Sequence, residues 1–134
     1  MNVSGEVIFI PVSFGELVDK VTILRIKAER VTDHAKLLNI RHELDLLEAV
    51  VAENWPLDGE AFNRLIEELH AVNGCLWTIE DDIRDCERAC RFDERFVELA
   101  RSVYRQNDRR AELKRKITLL VGSDIVEEKS YAAY

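Results

Sequence analysis

The stretch SFGELVDKVTILRIKAERVTDHAKLLNIRHELDLLEAVVAE, Ser13–Glu53, decides the fold, because it reads either as one long helix or as two. Ser13-Phe14-Gly15-Glu16 is a capping box: the Ser13 hydroxyl can accept from the amide of Glu16, and the Glu16 carboxylate can reach back to Ser13. Behind it Leu17, Val21, Leu24, Ala28, Val31, Ala35 and Leu38 recur by fours and threes. Leu37, Ile40, Leu44, Leu47 and Val51 continue that spacing one residue out of phase. Such a slip is a stutter in one seam or a break near Thr32-Asp33. Thr32–Lys36 holds no Pro or Gly, so the reading is one helix over 13–53, roughly 58 Å long.

Outward from it, the segment VIFIPV, residues 7–12, is β-branched and aromatic and ends in Pro-Val, the signature of a short strand or extended arm over 1–12. Downstream, Pro56 stops the first helix and Asp58 can cap the second. That second helix, 58–91, carries an unbroken seam of Phe62, Leu65, Leu69, Val72, Leu76, Ile79, Ile83, Cys86 and Cys90. Asp93 caps a third helix over 93–121, with Phe92 and Val97 as a staple and Gly122 at its C-terminal cap. A tail, 122–134, follows. The expected architecture is all-α: an elongated, antiparallel three-helix, coiled-coil-like bundle with a short N-terminal arm, in one domain over 1–134. In that bundle helix 58–91 is central.

Pro (2) and Gly (5) are scarce, which suits long helices. The net charge of −7 disfavours nucleic acid as a partner. Residues 41–82 carry two Arg against eleven Asp/Glu, and residues 99–118 seven Lys/Arg against two. Two helices of opposite sign side by side explain that asymmetry better than a phosphate-binding patch. The start shows no basic region and no apolar run long enough for a signal peptide or a membrane span, so a cytoplasmic location is expected. Cys75, Cys86 and Cys90 lack the further ligands that zinc needs, and read as small buried apolar residues; no metal and no cofactor are expected.

In FVELARSVYRQNDRRAELKRKI, Phe96–Ile117, the apolar face of Phe96, Leu99, Val103, Leu113 and Ile117 turns polar at Gln106 and Arg110. Parallel polar rows flank the other seams: Glu16, Lys20, Lys27 and Arg30; Asn73, Trp77, Glu80 and Arg84; Tyr104, Asn107 and Lys114. Either these rows form a buried ion network that fixes register, or they line a groove for an anion or nucleotide. In the second case Lys20, Lys27, Arg84 and Arg110 hold the anion, Trp77 or Tyr104 stacks on a ring, and Glu80 and Asn107 belong to the same groove. Equal counting from the turn at Phe92-Asp93 places Asn107, Asp108 and Arg110 level with Trp77, Glu80 and Asp81, so Arg110 should find its carboxylate there. Gly74 in mid-helix suggests a close neighbour. Two enzyme designs are weaker fits: a pyrophosphohydrolase with Glu16 and Asp19 facing Glu80 and Asp81, and a chorismate-mutase-like bundle using Arg25, Lys27 and Arg30.

The polar words PVSFGELVDKVTILRIKAER, LWTIEDDIR, FDERFVELARSVYRQNDRRAELKRKI and GSDIVEEKSY, in that order, resemble a family of small bacterial proteins of unknown function. The resemblance implies a helical cytoplasmic protein, in the context of surface-polysaccharide and glycosyl-transfer loci, and carries over no catalytic residue. Two functions remain open. One is a non-catalytic interaction or accessory protein, with an exposed apolar patch. The other is an enzyme on, or binder of, an anionic metabolite, with a pocket lined by Lys27, Trp77, Arg84 and Tyr104. Self-association, as a dimer, is expected because apolar surface near Leu44–Val51 lacks a partner within the chain and the arm seeks a strand.

Overall fold

A computed structural model of the protein describes residues 7–55, 59–122 and 126–134. It is all-helical, with four helices rather than three and no strand among the described residues. They are α1 (Phe14–Arg30), α2 (His34–Glu53), α3 (Gly59–Arg88) and α4 (Glu94–Leu120). The long first helix is broken where the phase slips. Val31 is extended (φ −76°, ψ 131°) while its amide still donates to the Lys27 carbonyl at 2.8 Å. Asp33 is also extended and accepts from the Lys36 amide at 3.0 Å, an N-cap that starts a new helix without Pro or Gly. The chain then turns back, so that Arg25 meets Glu48 at 3.1 Å. The one-residue slip therefore marks two separate stripes: Leu17, Val21 and Leu24 are buried on α1, while Leu44, Leu47 and Val51 of α2 fold onto them.

Helix α1 is the central element, correcting the expectation for α3. It packs against all three others, whereas α2 packs only against α1 among the described residues. The sequence reason is its apolar girth. Leu17, Val18, Val21, Leu24 and Ile26 point in several directions and are all buried, which a helix needs when it has neighbours on three sides. α1 runs antiparallel to α2 and α4 and parallel to α3, as the contacts Gly15–Thr118, Asp19–Arg110, Asn73–Thr22 and Arg30–Thr78 show. The core joins Phe14, Leu17, Val18 and Val21 to Val51, Phe62, Leu69, Leu113 and Ile117. Phe14 and Trp55 both lie against the fully buried Phe62 ring, at 5.4 and 4.6 Å between centroids.

α3 and α4 are longer than α1 and continue past its end as an antiparallel pair of helices. Glu68–Arg109 and Asp82–Arg95 fix their register. Asp93 caps α4 by accepting from the Phe96 amide, and Phe92 packs edge-on against Phe96. α3 closes earlier than its seam implies: Cys90 has a positive φ of 51°, and the Arg91 amide bonds back to Cys86. Cys75 and Cys90 are exposed and Cys86 is half-buried, so the three are not the buried apolar residues expected. Gly122 has φ 67°, as its capping place requires. Pro56 and Asp58 lie outside the described residues. Residues 7–12 lie outside any helix or strand and are exposed, and residues 126–134 run back along α4 without a helical turn.

Burial along α3 is uneven. Leu69 is fully buried under α1 and α4, while Leu76 is only half-buried. Leu69→Ala is expected to cost about 2–5 kcal/mol in a urea melt and Leu76→Ala less than about half of that. Equal losses would contradict this placement of α1.

Candidate functional site

The polar layer anticipated in α4 exists, and its anchor is on α1. Asp19, 1% exposed, accepts from Arg110 Nε at 2.9 Å and from Arg110 Nη2 at 2.5 Å, a two-pronged charge-assisted pair. Asn73 Nδ2 donates to the same carboxylate at 2.9 Å and lies 2.8 Å from Thr22 Oγ1, whose hydroxyl donates to the Asp19 carbonyl. Arg110 thus finds a carboxylate, but not Glu80 or Asp81. α3 closes at Arg88 and the turn takes five residues, so the hairpin is centred before Phe92-Asp93. The ion pairs between α3 and α4 set Arg109 on Glu68, about three turns from the level of Glu80. The bond to Asp19 raises the Arg110 pKa above its ordinary value, outweighing desolvation.

One turn toward the N-terminus of α1, Lys114 Nζ meets Glu16 at 2.6 Å and Glu127 of the tail at 3.3 Å. Burial pushes the Glu16 carboxyl up, but the Lys114 hydrogen bond and the nearby cations together hold it below its ordinary value. Burial likewise lowers Lys114, and its carboxylate neighbours more than reverse this, lifting it above its ordinary value. The helices can approach this closely because position 15 is glycine. A Cβ there would sit 2.1 Å from the Lys114 carbonyl oxygen, and the Gly15 amide donates to Thr118 Oγ1 at 2.9 Å. Gly74, by contrast, has no close neighbour: its nearest, Arg30 Nη2, would lie 4.0 Å from an added Cβ.

The tail crosses the outer face of α4. Glu128 pairs with Arg115 at 2.6 Å, Lys129 pairs with Asp108, and the Tyr134 hydroxyl donates to Asp108 at 2.7 Å. Tyr134 also stands edge-on to Tyr104, 5.0 Å between centroids. Two open clefts flank the tail. One, of about 770 Å³, is lined by Ser13, Lys114, Arg115 and the tail glutamates. The other, of about 1080 Å³, is lined by Tyr104, Asn107, Arg110 and Tyr131.

Of the residues proposed to bind an anion, Tyr104, Asn107 and Arg110 therefore share a cleft. The others do not join them. Lys20 is exposed and Lys27 half-buried on α1. Trp77 is half-buried on α3, and beyond it Arg84 pairs with Glu80 on exposed surface. The clefts described here are not lined by Lys27, Trp77 or Arg84. Glu16 and Asp19 face cations of α4 rather than Glu80 and Asp81, so the pyrophosphohydrolase arrangement is not formed. Arg25 and Arg30 diverge to Glu48 and Thr78, which dissolves the chorismate-mutase-like set. Among the described residues, no group of three or more His, Cys, Asp or Glu is placed to hold a metal ion. Asp19 and Thr22 are the polar residues that the flanking rows missed. Their signal was the apolar girth around them, since a polar residue on a helix buried on several sides has to find internal partners.

A different surface carries the unsatisfied apolar groups. Leu44 and Leu47, expected to need an outside partner, pack on the core. Leu38, Leu46 and Val50, on other faces of α2, are exposed, as are Val7, Ile8, Phe9 and Ile10 of the arm. No described helix is long and apolar enough to cross a membrane.

These features describe a four-helix protein with an internally neutralised polar layer and an uncovered apolar helix face. The chain belongs to DUF6165, a family of unknown function whose model matches residues 8–134. No curated protein and no solved structure matches it.

Proposed function

We propose that the protein is a non-catalytic helical interaction module that self-associates, and that it serves as an accessory to an enzyme of bacterial cell-surface glycan assembly in the cytoplasm. The observation that carries the reading is α2, which among the described residues packs on α1 alone and leaves Leu38, Leu46 and Val50 in solvent. Apolar side chains left in solvent along a helix that packs on one neighbour support an interaction surface there. The glycan context rests on the resemblance of the SFGELVDK, LWTIEDDIR and EEKSY words. The internal cations favour the same reading, because Arg110 and Lys114 already hold Asp19, Glu16 and Glu127. An anion would have to displace those carboxylates.

The second reading, a binder of or enzyme on an anionic metabolite or nucleotide, keeps one observation: Tyr104, Asn107 and Arg110 line one cleft. A thermal-shift screen against nucleotides, sugar nucleotides and divalent metals separates the two. The module should show no saturable rise in melting temperature. A rise that grows with ligand concentration, as linkage requires of a ligand that binds the native state, would overturn the module reading.

A further inference from the structure

The outer face of α2 carries a stripe that reads the same in both directions. Ala35, Leu38, His42, Leu46 and Ala49 are spaced three, four, four and three apart and so form one stripe along the helix. All five are exposed, and the stripe lies opposite Leu37, Leu44, Leu47 and Val51, which turn inward. The order Ala-Leu-His-Leu-Ala is the same in both directions. A two-fold axis at His42 would place Leu38 on Leu46 of a second copy, and Ala35 on Ala49. An isologous interface needs this self-complementarity.

The charges select the same pairing. From His34 to His42, α2 carries Lys36 and Arg41 and no acid; from Glu43 to Glu53 it carries Glu43, Asp45, Glu48 and Glu53 and no base. This order opposes the helix dipole, which favours acids at the N-terminus and bases at the C-terminus. The chain itself does not relieve it. The basic half lies beside the end of α1 that bears Lys27, Glu29 and Arg30, and of the acids only Glu48 has a cation partner, Arg25. Lys36 and Glu43 stand on one flank of the stripe, Arg41 and Asp45 on the other. In an antiparallel pair the basic half of each helix lies over the acidic half of the other, and on one flank Arg41 comes within a turn of Asp45. A parallel pair would lay basic half beside basic half and acidic half beside acidic half.

We infer that α2 is the self-association surface, pairing antiparallel with α2 of a second copy about a two-fold axis at His42. This rests on the self-association proposed above and specifies its face, register and direction. The test is sedimentation of the full chain over rising concentration, with two charge-reversed variants. Lys36→Glu with Arg41→Glu, and separately Glu43→Lys with Asp45→Lys, should each weaken self-association by about tenfold or more, through like-charge repulsion. An equal mixture of the two should recover it. All four positions are exposed, so helical content should not change.

Direction is read by crosslinking after Cys75, Cys86 and Cys90 are changed to Ser. A chain with Ala35→Cys should form a disulfide with a chain carrying Ala49→Cys, and neither should do so alone. A wild-type mass that stays monomeric at every concentration would overturn the self-association and the α2 pairing together. An associating wild type whose two charge-reversed variants associate as well as it does would overturn the α2 pairing alone. Self-crosslinking of Ala35→Cys would overturn the antiparallel direction.

Discussion

Gly15→Ala should destabilise the protein by about 3 kcal/mol, the upper end of the usual cost of overpacking. A methyl group at this position would stand 2.1 Å from the Lys114 carbonyl oxygen and 2.6 Å from Thr118 Oγ1. The first of these is backbone in mid-helix and cannot rotate away. α1 would have to move off α4, loosening the hydrogen bond from the Gly15 amide to Thr118 and the core that Leu17 and Val18 share with Leu113 and Ile117. Denaturant melts of the wild type and Gly15→Ala measure the difference. Equal midpoints would mean that α1 and α4 do not approach as described.

Arg110→Met should cost about 3–5 kcal/mol, because it leaves the Asp19 carboxylate buried without its cation. The counterpart matters more than the loss. Asp19→Asn added to Arg110→Met should recover most of that stability, since the amide carries no charge to neutralise and still accepts from Asn73. A double-mutant cycle by urea denaturation reads the coupling directly. If the two losses simply add, Asp19 and Arg110 are not partners. The cycle also tests the role of the polar break in α4: a layer that only fixes register tolerates its joint neutral replacement.

The polar break itself was legible in the sequence, and so was its content. Arg110 had to find a carboxylate, because a cation inside an apolar stripe cannot remain unpaired. Which carboxylate it finds depends on register, and register depends on how many residues a turn consumes. The earlier close of α3 and the ion pairs it makes with α4 set Arg109 at the level of Glu68, away from Glu80. α1 then supplied Asp19 from a third direction. Likewise the slip between Leu38 and Leu37 stood in the sequence as a number. Whether it meant a stutter or a break rested on Asp33, an ordinary residue in a helix interior and a strong one at an N-cap.

Local sequence is enough to say that the chain is helical, where α3 and α4 begin and end to within a few residues, and that apolar stripes alternate with rows of ions. These follow from local physics: the 3.6-residue period, the caps at Ser13 and Asp93, and the positive-φ glycine at 122. The central place of α1, the close approach of α4 at Gly15, and the return of α2 with one apolar face covered and another left to solvent are products of packing. Those outcomes depend on which stripe meets which. Stripes of similar width and composition are interchangeable in a linear pattern, and the choice among them is made by the packing of all the helices at once.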